Sequence, residues 1–231
     1  MAEPDEIIFL LDVDNTLLDN DRLRSDLRCH LSQEFGPENE DRYNTILEEL
    51  REELGYVDYL GALQRYRVQD MSDPRLLLMS AYLMDFPFSD LLYPNVKAAI
   101  SHLSSWGKTV ILSDGDVVFQ PRKIQRSGLW NAVEGRVLVY VHKEDMLDVV
   151  EAQYPAKHYV MVDDKLRILS TMKSHWGDRL TTIFVRQGHY ALDPENIANF
   201  PAADITIDHI ADLIHVNFLE VIHAPTSSDP P

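Results

Sequence analysis

Side chains able to do chemistry gather at four places in this chain. Residues 7 to 21, "IIFLLDVDNTLLDND", pass from a solid apolar run into four carboxylates, Asp12, Asp14, Asp19 and Asp21. "VILSDG" carries Ser113, Asp114 and Gly115, "VHKED" carries Lys143, and "VMVDDK" carries Asp163 and Asp164. A carboxylate can act as a covalent nucleophile or as a general acid or base. Several together suit a hard cation that takes oxygen ligands, and a lysine adds a further positive charge. The same residues have plainer uses. An Asp pair after a strand often closes a turn or caps a helix, and "DD" can cap a helix starting at Lys165. The nine histidines show no metal-ligand spacing, and His142 reads as a neighbour of Lys143, not a ligand.

The positions of the four places give them weight. Residues 7 to 12 are a continuous apolar run, the pattern of a strand buried on both faces. "TVILSDG", "VLVYV" at 137–141, "YVMV" at 159–162, "LTTIFV" at 180–185 and "ITI" at 205–207 read as five more strands. Helical patterns lie between and beyond them at 94–106, 121–127, 144–153, 165–174 and 209–222. Pro94 suits a first helical turn and Gly107 a stop. This alternation predicts an α/β fold, a Rossmann-like three-layer core with a parallel sheet between helices. In such sheets ligands bind beyond the carboxyl ends of the strands, and four separate strands deliver polar groups to that one edge.

One interval is too long. From the first strand to the second is roughly 100 residues, where one crossover unit needs about 30. The excess is helical in pattern: "ENEDRYNTILEELREELG" places Ile46, Leu47, Leu50 and Leu54 on one face with Gly55 as stop, and "DPRLLLMSAYLMDF" opens on an Asp-Pro start signal. We therefore expect a core from 1–19 and 93–223, an inserted α-helical cap domain from 20–92, and a disordered tail, "APTSSDPP", from 224–231.

Composition narrows the function classes. The 231 residues are 45% hydrophobic and 26% charged, an ordinary globular balance. The formal net charge of -17 argues against nucleic acid or an anionic membrane as partner, since both need a cationic face. If the substrate is an anion, the site must attract it locally. The single cysteine, Cys29, rules out an internal disulfide and fits a reducing compartment. "MAEPDEI" carries no basic n-region, and "IIFLL" is too short to span a bilayer. The expectation is a soluble cytoplasmic protein, monomer or dimer.

"LDVDNTLL" resembles the first motif of the haloacid dehalogenase (HAD) superfamily, hydrophobic residues followed by D-x-D-x-T. "VILSDG" resembles the second, an apolar strand ending in Ser or Thr. Lys143 falls where the third motif's lysine is expected, and "VMVDDK" resembles the acidic fourth motif, with Val162-Asp163-Asp164 replacing the commoner Gly-Asp form. The insert resembles a helical, C1-type cap. The resemblance covers the whole core and implies the HAD fold. It also implies Asp12 as nucleophile, Asp14 as general acid and then base, and Lys143 as a catalytic cation. Mg²⁺ is the implied cofactor, held by Asp12, by the backbone carbonyl of Asp14, and by Asp163 or Asp164. A carboxylate repels a phosphate dianion by about 4 kcal/mol at ~4 Å and an effective dielectric near 20, so a cation has to sit between them. Asp14 needs a raised pKa to donate a proton near neutrality, and burial under the cap is expected to raise it. Ser113, with backbone N–H groups near Asp114 and Gly115, is expected to hold the phosphoryl oxygens. Thr16, with Asn15, is expected to fix the loop, and Asn20, with Asp21, to line the hinge into the cap.

Within the superfamily, a haloacid dehalogenase needs no metal and lacks the second acidic residue of the first motif, so Asp14 speaks against dehalogenation. Phosphonate hydrolysis draws on a cap lysine, and the first lysine of this chain is Lys97, beyond the insert. The reading is a Mg²⁺-dependent phosphatase of a small phosphorylated metabolite, working through an aspartyl-phosphate. The alternatives are a phosphosugar mutase with the same nucleophile and a non-catalytic binding protein on this scaffold. Specificity is expected from cap arginines, among them Arg22, Arg24, Arg65 and Arg67.

Overall fold

The computed structural model describes residues 5–69 and 74–218. Strand β1 (Asp5–Leu11) is followed by four helices, α1 (Asn20–Phe35), α2 (Pro37–Leu54), α3 (Tyr59–Gln69) and α4 (Arg75–Asp85). Then come α5 (Val96–Ser104), β2 (Lys108–Asp114), α6 (Phe119–Arg126), α7 (Leu129–Ala132), β3 (Val137–Tyr140) and α8 (Leu147–Gln153). The chain continues through β4 (Ala156–Asp163), α9 (Leu166–Trp176), β5 (Leu180–Val185), α10 (Gly188–Leu192), α11 (Pro194–Ala198) and β6 (Ile205–Ile207).

All six strands pair in parallel in the order β3-β2-β1-β4-β5-β6. The apolar run that begins the chain is the reason β1 is central. Successive side chains of a strand point to opposite faces, so Ile8 and Leu10 enter one core while Phe9 and Leu11 enter the other. All four are fully buried. Leu147 and Val150 of α8 and Leu166, Leu169 and Met172 of α9 cover the first face. Val96, Ala99, Ile100 and Leu103 of α5, with Ile124 of α6 and Leu129 of α7, cover the second. Each buried Leu, Ile, Val or Met side chain contributes roughly 1.5–3 kcal/mol by leaving water, and Leu10→Ala would cost about 2–5 kcal/mol.

The inserted helices are amphipathic and share the second core. Leu23, Leu27 and Leu31 recur at four-residue spacing on α1, and Tyr43, Ile46, Leu47 and Leu50 form the buried face of α2. Pro37 starts α2, and Glu38 and Glu40 lie in its first turn, where the helix dipole favours negative charge.

Two expected helices differ. The segment 144–153 divides into a 3₁₀ turn, Lys143–Asp145, and α8, because Met146 leaves helical geometry (φ -109, ψ 18). The pattern at 209–222 gives a 3₁₀ helix, Ile210–His215, stopped where Val216 turns extended (φ -81, ψ 127). Residues 219–222 of that pattern, Asp73 of the expected helix start and the tail at 224–231 lie outside the described residues. Among the described residues, no helix is long and apolar enough to cross a membrane.

Candidate active site

Strand β1 stops at Leu11, but the amide of Asp12 still donates to the carbonyl of Val162 at 3.0 Å. This fixes Asp12 at the carboxyl edge beside β4. The chain leaves β1 for β2 on one side, and β4 returns on the other, so Asp12 stands at a topological switch point. Lys143 Nζ lies 2.5 Å from Asp12 Oδ1 and 2.7 Å from Asp163 Oδ2. Its turn is held by Asp114, whose Oδ1 accepts the Lys143 amide at 2.8 Å. Burial opposes the charge of a lysine, yet Asp12, Asp163 and Asp114 outweigh it and carry the Lys143 pKa well above its usual range.

Burial pushes Asp163 up to about 6, against the pull of Lys143, and pushes Asp164 further above the usual carboxylate range. Both oxygens of Asp164 are buried and take no hydrogen bond from the described residues. Asp12, Asp163 and Asp164 each offer an oxygen within 4.8 Å of the others. Three carboxylates at that spacing, one with no hydrogen-bond partner and offset mainly by the nearby charge of Lys165, are costly. A divalent cation among them would remove the cost, so this oxygen set fits Mg²⁺.

Asp14 turns away from that cluster. The loop after Asp12 folds back on itself through Asn15, which adopts a left-handed conformation (φ 61). Asn15 Oδ1 accepts the amides of Asn20 and Asp21 at 3.0 and 3.2 Å, and its Nδ2 donates to Asp21 at 3.1 Å. Lys123 of α6 donates to both Asp14 oxygens, at 2.7 and 2.9 Å, and to Asn20 Oδ1 at 3.2 Å. Gln120 Nε2 donates to Ser113 Oγ at 2.9 Å and reaches Asp14 at 3.4 Å. The expected burial of Asp14 is corrected here. Its side chain is 30% exposed and pairs with the Lys123 ammonium at the wall of a cleft that the insert helps to line.

A haloacid dehalogenase-like hydrolase family model matches residues 8–175. A haloacid dehalogenase-like hydrolase of Burkholderia xenovorans LB400 is 62% identical, with a TM-score of 0.89 over 93% of this chain and 100% of that one. The chain belongs to the haloacid dehalogenase-like hydrolase family. At the level of fold alone, this HAD-like hydrolase also resembles the L-2-haloacid dehalogenase of Xanthobacter autotrophicus, whose structure holds covalently bound chloropropionic acid. There the identity is 16% and the TM-score 0.60, over 94% of this chain and 99% of that one. The HAD hydrolase YfnB of Bacillus subtilis, bound to magnesium, gives 16% and 0.60 over 92% and 98%. No curated protein matches the chain.

A cleft of about 300 Å³ opens between the sheet edge of this HAD-like hydrolase and its inserted helices. Asp14, Asn20, Asp114 and Gly115 line it, with Arg24, Arg51 and Tyr59 from the insert and Lys165 and Tyr190 from the core. Helix α2 ends at Gly55, which is left-handed (φ 79) and donates its amide to Arg51 O at 2.9 Å. A Cβ at Gly55 would meet the tip of the His142 side chain at 2.5 Å, and the positive φ favours glycine where the insert seats against the turn that bears Lys143.

Other expected roles shift. Thr16 is fully buried and Ser113 nearly so, and neither lines the cleft. Thr16 serves the loop through its carbonyl, which accepts Gln187 Nε2 at 3.1 Å. The Gly115 amide donates to Tyr140 O at 2.8 Å, so it extends the sheet and is not free to meet an oxyanion. Of the four named cap arginines only Arg24 lines the cleft; Arg65 pairs with Glu53 at 2.6 Å on the surface. Asp19 caps α1, and Asp21 accepts the amide and Nδ1 of His189 at 2.8 and 2.6 Å, fastening α1 to α10.

Sequence reasoning missed Gln120, Lys123, Arg51 and Lys165. For the first two a signal existed. Gln120 and Lys123 fall on the same stripe of α6 as Phe119 and Ile124, and polar residues on a buried stripe are seldom idle.

Proposed function

We propose that this HAD-like hydrolase is a Mg²⁺-dependent phosphomonoester hydrolase of a small phosphorylated metabolite, acting through an aspartyl-phosphate on Asp12. The observation that carries the reading is the trio Asp12, Asp163 and Asp164, with both Asp164 oxygens buried and unpartnered. These three side chains, with the Asp14 carbonyl, would hold Mg²⁺. When bound, the ion would offset the repulsion between the Asp12 carboxylate and a phosphoryl group. Lys143 holds Asp12 Oδ1 in place and adds a permanent positive charge at the nucleophile. Asp12 attacks phosphorus, and the ester oxygen leaves with a proton from Asp14. Asp14 then takes a proton from the water that hydrolyses the acyl phosphate. Lys123 and Gln120 orient Asp14 while this proton moves out and back.

The inserted helices act as the cap domain and shape the pocket. The acidic chain favours a small metabolite over a nucleic acid, and the exposed, unpaired thiol of Cys29 suits the cytoplasm. The test is hydrolysis of p-nitrophenyl phosphate with Mg²⁺, with EDTA, and by Asp12→Ala. Metal-independent turnover or full activity in the variant would overturn the reading. Halide release from chloropropionate without phosphate release would make the protein a dehalogenase, and an isomerised sugar phosphate in place of free phosphate would make it a mutase.

A further inference from the structure

We infer that the cleft contains a second anionic subsite built from Arg51 and Lys165, and that the substrate carries a second acidic group besides its phosphoryl group. The inference rests on the phosphatase reading. The chain has 38 acidic residues against 21 Lys and Arg, so an average patch of its surface is acid-rich. The cleft is the reverse. Four Lys or Arg line it, against two carboxylates, Asp14 and Asp114. Both acids are already engaged, Asp14 by Lys123 and Asp114 by the Lys143 amide.

The cations are under-used. Arg24 and Arg51 share one carboxylate, Glu48, at 2.5 and 3.2 Å, which leaves one positive charge unmatched. Arg167 is spent on Glu144 at 2.5 Å. Among the described residues Lys165 has no carboxylate within 4.0 Å, although the field of Asp164, Asp12 and Asp163 raises its pKa, and its Nζ lies 5.2 Å from the centre of the Tyr190 ring. The Arg51 guanidinium lies 5.5 Å from the same ring. One cation from the insert and one from the core thus stand close to the same aromatic ring in the cleft. Attraction to the ring helps to hold each cation and leaves N–H groups available to an anion. A carboxylate or a second phosphate has the matching chemistry.

The test compares two esters phosphorylated at the same terminal hydroxyl, glycerol phosphate and phosphoglycerate, which differ only by a carboxylate in place of a hydroxymethyl group. Wild type should favour phosphoglycerate in kcat/KM by on the order of tenfold to a hundredfold, the range for a charge-assisted contact. Arg51→Ala should collapse that ratio through KM, and Arg51→Lys should restore part of it. The bisphosphate of propanediol separates the two ligand sources. A rate above that of phosphoglycerate assigns the subsite to phosphate, and a lower one assigns it to carboxylate. Equal turnover of both glycerol esters by wild type, or an unchanged ratio in Arg51→Ala, overturns the subsite. Absence of turnover on all three esters and on p-nitrophenyl phosphate overturns the phosphatase reading, and this inference with it.

Discussion

Asp12 and Asp14 stand two residues apart and live in opposite surroundings. Asp12 is 6% exposed, pinned by the buried Lys143 and facing two further buried carboxylates. Asp14 keeps a 30% exposed side chain and is paired with Lys123 at the wall of an open cleft. Each carboxylate has its own lysine, delivered by a different element: the turn after β3 for one and α6 for the other. A nucleophile benefits from a fixed position and a local excess of positive charge. A proton shuttle needs contact with substrate and water. The two environments suit the roles proposed for them.

Removing each carboxylate in turn is the strongest way to break the comparison. Asp12→Asn should lower kcat by on the order of 10⁴-fold or more, since the proposed mechanism gives Asp12 the covalent step. Asp14→Asn should cost roughly 10²–10⁴-fold, the usual contribution of a general acid and base. Steady-state hydrolysis of an ester with a poor leaving group measures both. A smaller loss for Asp12→Asn than for Asp14→Asn would mean that the roles are reversed.

The two lysines should differ in stability as well. Lys143→Met leaves Asp12 and Asp163 buried beside each other without their cation. Breaking a buried pair in this way costs about 3–5 kcal/mol, read as a fall in Tm by calorimetry without added metal. The same carboxylates make stability depend on pH. Burial raises Asp163 to about 6 from an ordinary value near 4. The folded state therefore holds this proton more tightly than the unfolded state. The contribution of Asp163 to metal-free stability is full below about pH 4 and is lost as pH rises through about 6, by roughly 2–3 kcal/mol. A cation in the trio takes the proton's place, so Mg²⁺ should raise Tm more at about pH 7.5 than at about pH 5. An equal shift at both would remove Asp163 from the metal site.

The core was legible because periodicity and strand-end chemistry pointed the same way. Apolar runs such as "IIFLL", alternating with helical patterns, read as central strands, and parallel pairing then brings Asp12, Asp163 and Asp164 to one edge, with Lys143 in the turn just after β3. The surroundings of Asp14 were not legible. Its ion pair spans 109 residues, and no local pattern encodes a contact of that range. The Gly115 amide was misjudged for a related reason. Its partner, Tyr140 O, belongs to the neighbouring strand β3, so whether that N–H is free depends on sheet order and not on the motif. Arg51 was passed over because its place in the last turn of α2 reads as ordinary helix-dipole pairing until the insert is seen folded over the core.

Lys123→Met should be the mildest change and the most informative about the division. It leaves Asp14 with water at hand, so Tm should fall less than in Lys143→Met, where the abandoned carboxylates are buried. The kinetic effect should fall on kcat, roughly tenfold to a hundredfold from loss of position, with KM little changed because Lys123 touches Asp14 and not the cleft. The decisive measurement is the double-mutant cycle. If Lys123 works only by holding Asp14, adding Lys123→Met to Asp14→Asn should cost almost nothing further, since neighbours that share one function are non-additive. Full additivity would mean that Lys123 has its own part in catalysis, and that the two aspartates are not served by separate lysines.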